Sequence, residues 1–170
     1  SDKVITLPEF KQMIDAQSGK LIHKGKEVKS VAYIYCVGSR QTDGENTYCS
    51  RNCCTSTIHA AVTAKQKFAD INNYHFNRGL RTYGKQEILY ADSLRSGDIY
   101  LQSYEDGLPT VITEGKKTIV KIDKDLIRNI NALIFGVDAD LDDYKSTSNL
   151  VYHADKIVIF NPTDGESEKK

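Results

Sequence analysis

The chain has 170 residues and a net charge of zero, because 23 lysines and arginines balance 23 aspartates and glutamates. This length predicts one domain with a substantial core, and the balanced charge gives no electrostatic reason to expect nucleic acid or an anionic membrane as partner. The longest apolar runs are far too short to span a membrane, and the first residues lack a signal-peptide pattern, so we expect a soluble protein.

The first hundred residues predict strands and helices that alternate. Thr6 and Glu9 have the spacing of a capping box, which predicts a short helix that ends at Gly19. The continuous apolar run Val31–Val37 predicts a buried strand. The next predicted elements are a helix capped by Ser50 or Asn52 that ends near Phe68, a strand at Tyr74–Asn77, a helix from about Gln86 to Arg95 with Ile88, Leu89 and Leu94 facing inward, and a strand at Ile99–Leu101. This order over residues 30–102 favours parallel strands joined by right-handed crossovers.

The pattern changes after the third strand. Thr110–Glu114 and Thr118–Asp123 alternate in polarity, as the two strands of a hairpin do. Leu126–Val137 fits either a helix or a strand, and we favour a third meander strand near Ala132–Val137. A last buried strand is predicted at Asp155–Phe160. The predicted fold class is therefore α/β, a Rossmann-like three-layer domain with a central parallel sheet, helices and a β-meander.

All four cysteines lie between residues 36 and 54, at Cys36, Cys49, Cys53 and Cys54. Disulfides within this short segment would close strained local loops, because two of the cysteines are adjacent. We therefore expect a metal site or redox centre in a reducing compartment, which indicates the cytoplasm.

The predicted elements bring the cysteines to one edge of the sheet. Cys36 follows the first buried strand, and Cys53 and Cys54 begin the helix after it. In a doubly wound sheet the carboxyl end of a strand and the start of the next helix meet where ligands bind. The helix N-terminus there lowers thiolate pKa values and offers free N–H groups.

The cysteine spacing leaves three interpretations open. Structural zinc sites usually contain Cys-x2-Cys pairs, which this spacing of Cys-x12-Cys-x3-Cys-Cys lacks. A [4Fe–4S] cluster is larger and tolerates irregular spacing, including adjacent cysteines. The spacing favours a cluster, with zinc and unliganded buried thiols as the alternatives.

The same loop is where a dinucleotide-binding fingerprint would lie. No Gly-x-Gly occurs in the chain, and the loop holds only Gly38 and Gly44, so a pyrophosphate lacks the close backbone approach that it requires. Arg78 and Arg81 follow the second strand, where a nucleotide-binding protein holds a 2′-phosphate; we expect them to form local ion pairs instead. A degenerate NAD(P)-binding domain is a further alternative.

Two segments carry a resemblance to a known family. Val31–Arg40 and Tyr48–Cys54 resemble the core signature of the A-type subunit of heterodisulfide reductase, the flavin-based electron-bifurcating family of methanogens and many anaerobes. The resemblance continues through Leu80–Lys85 and covers residues 4–109.

The resemblance implies that this chain is the inserted, pyridine-nucleotide-domain-like part of a longer flavoprotein. It implies that Cys36, Cys49, Cys53 and Cys54 bind one [4Fe–4S] cluster, and that FAD is bound only by the full-length protein and not by this segment. The implied function is electron transfer within a disulfide-reducing complex, in which the partners are the flavin domain of the same polypeptide and the other subunits. The segment by itself lacks a complete active site, and a redox-inactive docking domain with zinc-bound or free thiols is the alternative from another class.

Two arginines bracket the cysteine segment. A tetrathiolate cluster is net anionic, so the guanidinium groups of Arg40 and Arg51 would raise its potential if they lie close to it; otherwise they are ordinary surface arginines. We divide the chain into a lead-in helix and linker (residues 1–29), an iron–sulfur-binding Rossmann-like domain (30–160) and a flexible tail (161–170).

Overall fold

The structure, a computed structural model, describes residues 3–105, 107–114, 117–123, 127–131, 149–153 and 156–159. The helices within these ranges are α1 (Leu7–Asp15), α2 (Cys53–Lys67) and α3 (Gln86–Arg95). The strands within them are β1 (Val4–Thr6), β2 (Ile22–His23), β3 (Lys26–Glu27), β4 (Ser30–Ile34), β5 (Asn72–Asn77), β6 (Ile99–Ser103), β7 (Thr110–Glu114), β8 (Lys117–Asp123), β9 (Ile127–Asn131), β10 (Asn149–His153) and β11 (Lys156–Ile159).

A six-stranded sheet forms the centre of the molecule, in the order β1-β11-β4-β5-β6-β9. The first five strands are parallel, and β9 pairs antiparallel with β6. Helix α2 connects β4 to β5, and α3 connects β5 to β6. This confirms the predicted β-α-β-α-β order over residues 30–102.

The central sheet has a layer on each face. On one face, Tyr33 of β4 and Tyr35, which follows β4, pack in a core cluster with residues of α1 and α2. On the same face, Tyr90 of α3 packs edge-on against Tyr100 of β6. On the other face, residues of β4 and its neighbours pack against Val120 and Ile122 of β8. That strand belongs to an antiparallel sheet of order β10-β8-β7. The predicted three-layer α/β class is therefore confirmed.

Helix α1 begins as its capping box predicts. The Thr6 N–H donates to Glu9 Oε2 at 2.6 Å, and the Glu9 N–H donates to Thr6 Oγ1 at 3.4 Å. The helix ends at Asp15, before Gly19. The lead-in segment also contains β1, which pairs with β11 and so joins the central sheet.

Helix α3 has the predicted bounds, and of the three side chains predicted to face inward, Leu89 and Leu94 are half-buried but Ile88 is exposed. Ile88 is 62% exposed, whereas Ser93 is fully buried. The inward face is partly polar because the Ser93 hydroxyl bonds to groups of the sheet, which periodicity of apolar residues does not detect. None of the three described helices combines the length and apolar character needed to cross a bilayer.

The second half of the chain follows its pattern only in part. The predicted hairpin is confirmed as β7 and β8, and the predicted last strand as β11. The third strand of the small sheet is β10, which pairs with β8. The segment Ala132–Val137, predicted as that third strand, lies outside the described residues, as do the predicted tail 161–170 and most of the 138–149 segment. Strand β9 comes from the ambiguous segment and extends the central sheet instead.

Candidate metal centre

Cys36 lies just beyond β4, at the carboxyl end of the central sheet. The ladder continues through Tyr35, whose N–H donates to Phe76 O at 3.0 Å. Cys36 then turns into the left-handed region with φ +61° and is buried. A side chain in this region costs about 1–3 kcal/mol, so surrounding contacts hold the turn. The turn lies at the start of the segment 35–52, which we call the cysteine loop.

Cys53 and Cys54 are the first two residues of α2, and both are buried. Asn52 at the N-cap makes no side-chain capping bond within the described part of the chain. The thiols therefore lie at a helix N-terminus whose N–H groups and partial positive charge favour thiolates.

The buried thiols interact with one another. A hydrogen bond from the Cys54 thiol lowers the pKa of Cys53 to about 6 and raises the pKa of Cys54. Burial raises the pKa of Cys36, and the charge of Cys53 raises it further. The predicted convergence at this edge therefore includes Cys36, Cys53 and Cys54.

Cys49 lies on the cysteine loop and is only partly buried. The N–H of Arg51 donates to Cys49 Sγ at 3.4 Å, and Arg51 has φ +64°. Arg51 thus bonds to a cysteine through its backbone N–H, while the residue as a whole is exposed to solvent. The hypothesis that its guanidinium contacts a cofactor stays a prediction.

Arg78 fixes the start of the cysteine loop from within. Its Nη2 donates to Ser39 O at 2.8 Å and to Cys36 O at 3.3 Å. Its Nη1 donates to Arg40 O at 3.0 Å and to Glu105 O at 2.8 Å. The sequence predicts a local ion pair here, and a carboxylate oxygen of Glu105 does lie 3.8 Å away. The backbone carbonyls are the closer partners, because they need donors where the loop is buried.

Arg40 completes this arrangement. Its Nη1 donates to Arg78 O at 3.0 Å, and its Nη2 forms an ion pair with Glu105. The charges of Arg78 and Arg40 both lower the pKa of Cys36, against the effects of burial and Cys53 that raise it. The guanidinium of Arg40 is therefore held by Glu105 and a backbone carbonyl near Cys36, and its role beside an anionic cofactor stays a prediction.

The thiols of this region are soft donors, of the kind that bind a zinc ion or the irons of an iron–sulfur cluster. Among the described residues, no three His, Cys, Asp or Glu side chains are arranged to hold one metal ion. A cluster separates its thiolates more widely, since each bonds a different iron. A cavity of about 430 Å³ lies beside Cys36 and Arg78; its described lining also includes Asp43 and Glu105 and none of the other three cysteines.

Comparison with known proteins agrees with the cysteine motif. No protein-family model matches the chain. An iron-sulfur subunit of the A type from the CoB--CoM heterodisulfide reductase of Methanopyrus kandleri is 31% identical over 137 residues, which are 76% of this chain and 21% of that protein. The A-type subunit of the H(2):CoB-CoM heterodisulfide,ferredoxin reductase of Methanothermobacter thermautotrophicus is 36% identical over 117 residues, 65% of this chain and 17% of that protein.

A third similar protein is the A-type subunit of the H(2)/formate:CoB-CoM heterodisulfide,ferredoxin reductase of Methanococcus maripaludis. It is 31% identical over 149 residues, which are 82% of this chain and 22% of that protein. The chain is a relative of the heterodisulfide reductase A-type subunits. It spans about a fifth of the length of the curated relatives that it matches. The resemblance predicted from the two cysteine segments is thereby confirmed.

Proposed function

We propose that this chain is the cluster-carrying, electron-transfer domain of an oxidoreductase related to the A-type subunit of heterodisulfide reductase. Cys36, Cys49, Cys53 and Cys54 would hold one [4Fe–4S] cluster. The observation that carries the proposal is the burial of three interacting thiols, from the end of β4 and from α2, in a chain related to proteins named iron–sulfur subunits.

A bound cluster accepts and returns one electron without breaking a bond in the protein. The chain supplies the environment of that electron. Arg78 and Arg40 share one carboxylate, Glu105, and so leave a net positive charge near Cys36, which would stabilise added negative charge and raise the reduction potential. The hydrogen bond from the Arg51 N–H to Cys49 Sγ acts in the same direction, because a hydrogen bond to sulfur disperses its charge.

The remaining functions belong to the whole protein. We propose that the natural partners are a flavin domain of the same polypeptide and the other subunits of a disulfide-reducing, electron-bifurcating complex in the cytoplasm. FAD would be bound by the longer protein and not by this segment. Arg78 supports the rejection of a nucleotide site here, since its guanidinium already serves four backbone carbonyls.

The cysteine assignment predicts the effect of replacing each thiol. Cys36→Ser, Cys49→Ser, Cys53→Ser and Cys54→Ser should each lose or degrade the cluster, because a hydroxyl is a poor substitute for a soft thiolate. After anaerobic reconstitution with iron and sulfide, visible absorbance and iron content should fall well below those of the wild type. Thr47→Ser, which places a serine at an exposed position of the same loop, is the matched control and should load normally.

Full iron and sulfide content in all four cysteine variants would reject the assignment. The docking alternative predicts a different pattern: a colourless protein that binds zinc or no metal at all, in the wild type as in the variants. Zinc analysis of the same samples separates these cases.

A further inference from the structure

A histidine and an aspartate that the site does not use form a buried pair on the helix-covered face of the sheet. His75 of β5 and Asp98, which precedes β6, are both completely inaccessible to solvent. The His75 Nε2 lies 3.5 Å from Asp98 Oδ2. Tyr33 and Tyr100 stack on the two faces of the imidazole, with ring centroids 4.7 and 4.1 Å away. The pair is therefore rigidly held in the core.

Hydrogen bonds lead from this pair to an open cavity. Asp98 Oδ2 accepts from Ser93 Oγ at 2.5 Å, and Ser93 Oγ lies 2.6 Å from Tyr100 Oη. Tyr100 lines a cavity of about 460 Å³ together with Asn77 and Gln102. A hydroxyl group rotates and can both donate and accept hydrogen bonds. The hydroxyls of Tyr100 and Ser93 can therefore pass a proton between the cavity and Asp98.

A second hydrogen bond leads from the pair toward the cysteines. The Tyr35 hydroxyl lies 2.8 Å from His75 Nδ1. Burial raises the pKa of Tyr35 well above its usual value, and Tyr100, Cys54 and Cys53 raise it further. The Tyr35 hydroxyl therefore lies within electrostatic reach of both the imidazole and the thiols at the start of α2.

Asp98 and His75 are the acidic and the basic member of this buried pair. Asp98 accepts hydrogen bonds from Asn73 Nδ2 at 3.0 Å and from Ser93. Within the described ranges, His75 is the basic side chain at ion-pair distance from it. Burial lowers the pKa of His75 below 6.5, against the opposing effect of Asp98. Further negative charge nearby would raise that pKa and favour the protonated pair.

We propose that the His75–Asp98 pair is the proton site of the redox centre, and that it gains one proton when the cysteine site gains one electron. The inference rests on the proposed function. In the reduction, a one-electron donor such as a reduced flavin is oxidised, the centre takes the electron, and His75 takes a proton from solvent in the cavity through Tyr100, Ser93 and Asp98. On oxidation, the electron leaves the centre and the proton leaves His75. Only N–H and O–H bonds along the path form and break.

The groups that face His75 come from four elements. Besides Asp98, three tyrosine rings pack against it: Tyr33 of β4, Tyr35 just after β4, and Tyr100 of β6. Farther from it, Tyr90 of α3 packs against Tyr100, and Cys53 and Cys54 of α2 act on Tyr35. The tyrosines in contact with it stay neutral near pH 7 because burial raises the pKa values of Tyr33, Tyr35 and Tyr100. Among the aromatic side chains of this core, His75 is therefore the one able to exchange a proton near pH 7.

The test is the reduction potential of the reconstituted chain, measured from about pH 5.5 to 8. Proton uptake on reduction makes the potential more positive as pH falls. Between the pKa values of His75 in the oxidised and reduced protein, each tenfold rise in proton concentration should stabilise the reduced form tenfold, or about 59 mV. His75→Gln should make the potential independent of pH, and Asp98→Asn should shift the dependent range to lower pH. His59→Gln, the same replacement at an exposed histidine of α2, is the matched control and should behave as the wild type.

A wild-type potential that does not vary with pH would overturn the proposal without any variant, and so would an unchanged slope in folded His75→Gln protein. In both cases the cluster is present, so the proposed function stands. A folded chain that assembles no cluster contradicts the proposed function itself.

Discussion

At the scale of single residues, Arg78 determines much of the conformation of the cysteine loop. Its guanidinium bonds to the carbonyls of Cys36, Ser39, Arg40 and Glu105. The arginine follows β5, whereas the first three carbonyls follow β4. Local sequence patterns carry no information on such pairs, so the sequence predicted an ion pair for Arg78 but not its bonds to backbone carbonyls.

Replacement of Arg78 should destabilise the protein strongly. Arg78→Lys keeps the charge but loses the planar fork, which leaves buried carbonyls without donors. Because a hydrogen bond to a charged group contributes about 1.5–3 kcal/mol, we expect a loss of about 3 kcal/mol in the free energy of unfolding. Urea denaturation measures it. Arg95→Lys, at an exposed ion pair on α3, is the control and should change stability by less than about 0.5 kcal/mol. Equal stability of the two variants would show that the hydrogen bonds of Arg78 contribute little.

At the scale of elements, the sequence predicted those helices and strands that form through contacts between residues close together in the chain. The capping box of Thr6 and Glu9 and the apolar run of β4 predicted their elements correctly. The insertion of β11 between β1 and β4 was not predictable, because it depends on pairing between residues more than 120 positions apart, such as Val31 with Lys156. The choice of β10 as partner of β8 is a long-range pairing of the same kind.

The cysteine loop should respond to the cluster more than the elements around it. Its residues beyond Arg40 are mostly polar or exposed, and few hydrogen bonds close it, such as Gln41 N to Asn46 O at 3.0 Å. We expect the metal-free protein to keep its helices and sheets while amides of residues 41–52 exchange faster. Hydrogen exchange on metal-free and reconstituted samples measures this, with the amides of α2 beyond its first turn as the internal control. Equal protection of the loop in both states would mean that the cluster does not order it.

At the scale of the whole molecule, the edge rule for parallel sheets predicted the meeting of Cys36 with Cys53 and Cys54. The same rule did not reveal the Tyr35, His75 and Asp98 series, whose members come from three separate strand regions. A buried histidine has no sequence signal of its own, since its partners become neighbours only through the register of β4, β5 and β6. The sequence therefore predicted that these three thiols come together and missed the polar core behind them.

The assignment of one [4Fe–4S] cluster to the four cysteines is open to a direct chemical measurement. Iron, acid-labile sulfide and zinc are determined per chain in protein reconstituted without oxygen, together with the electron paramagnetic resonance of the reduced sample. We predict about four irons and about four sulfides per chain, little zinc, and the signal of a one-electron-reduced cluster. About one zinc per chain without sulfide, or folded protein that takes up neither metal, would contradict the assignment.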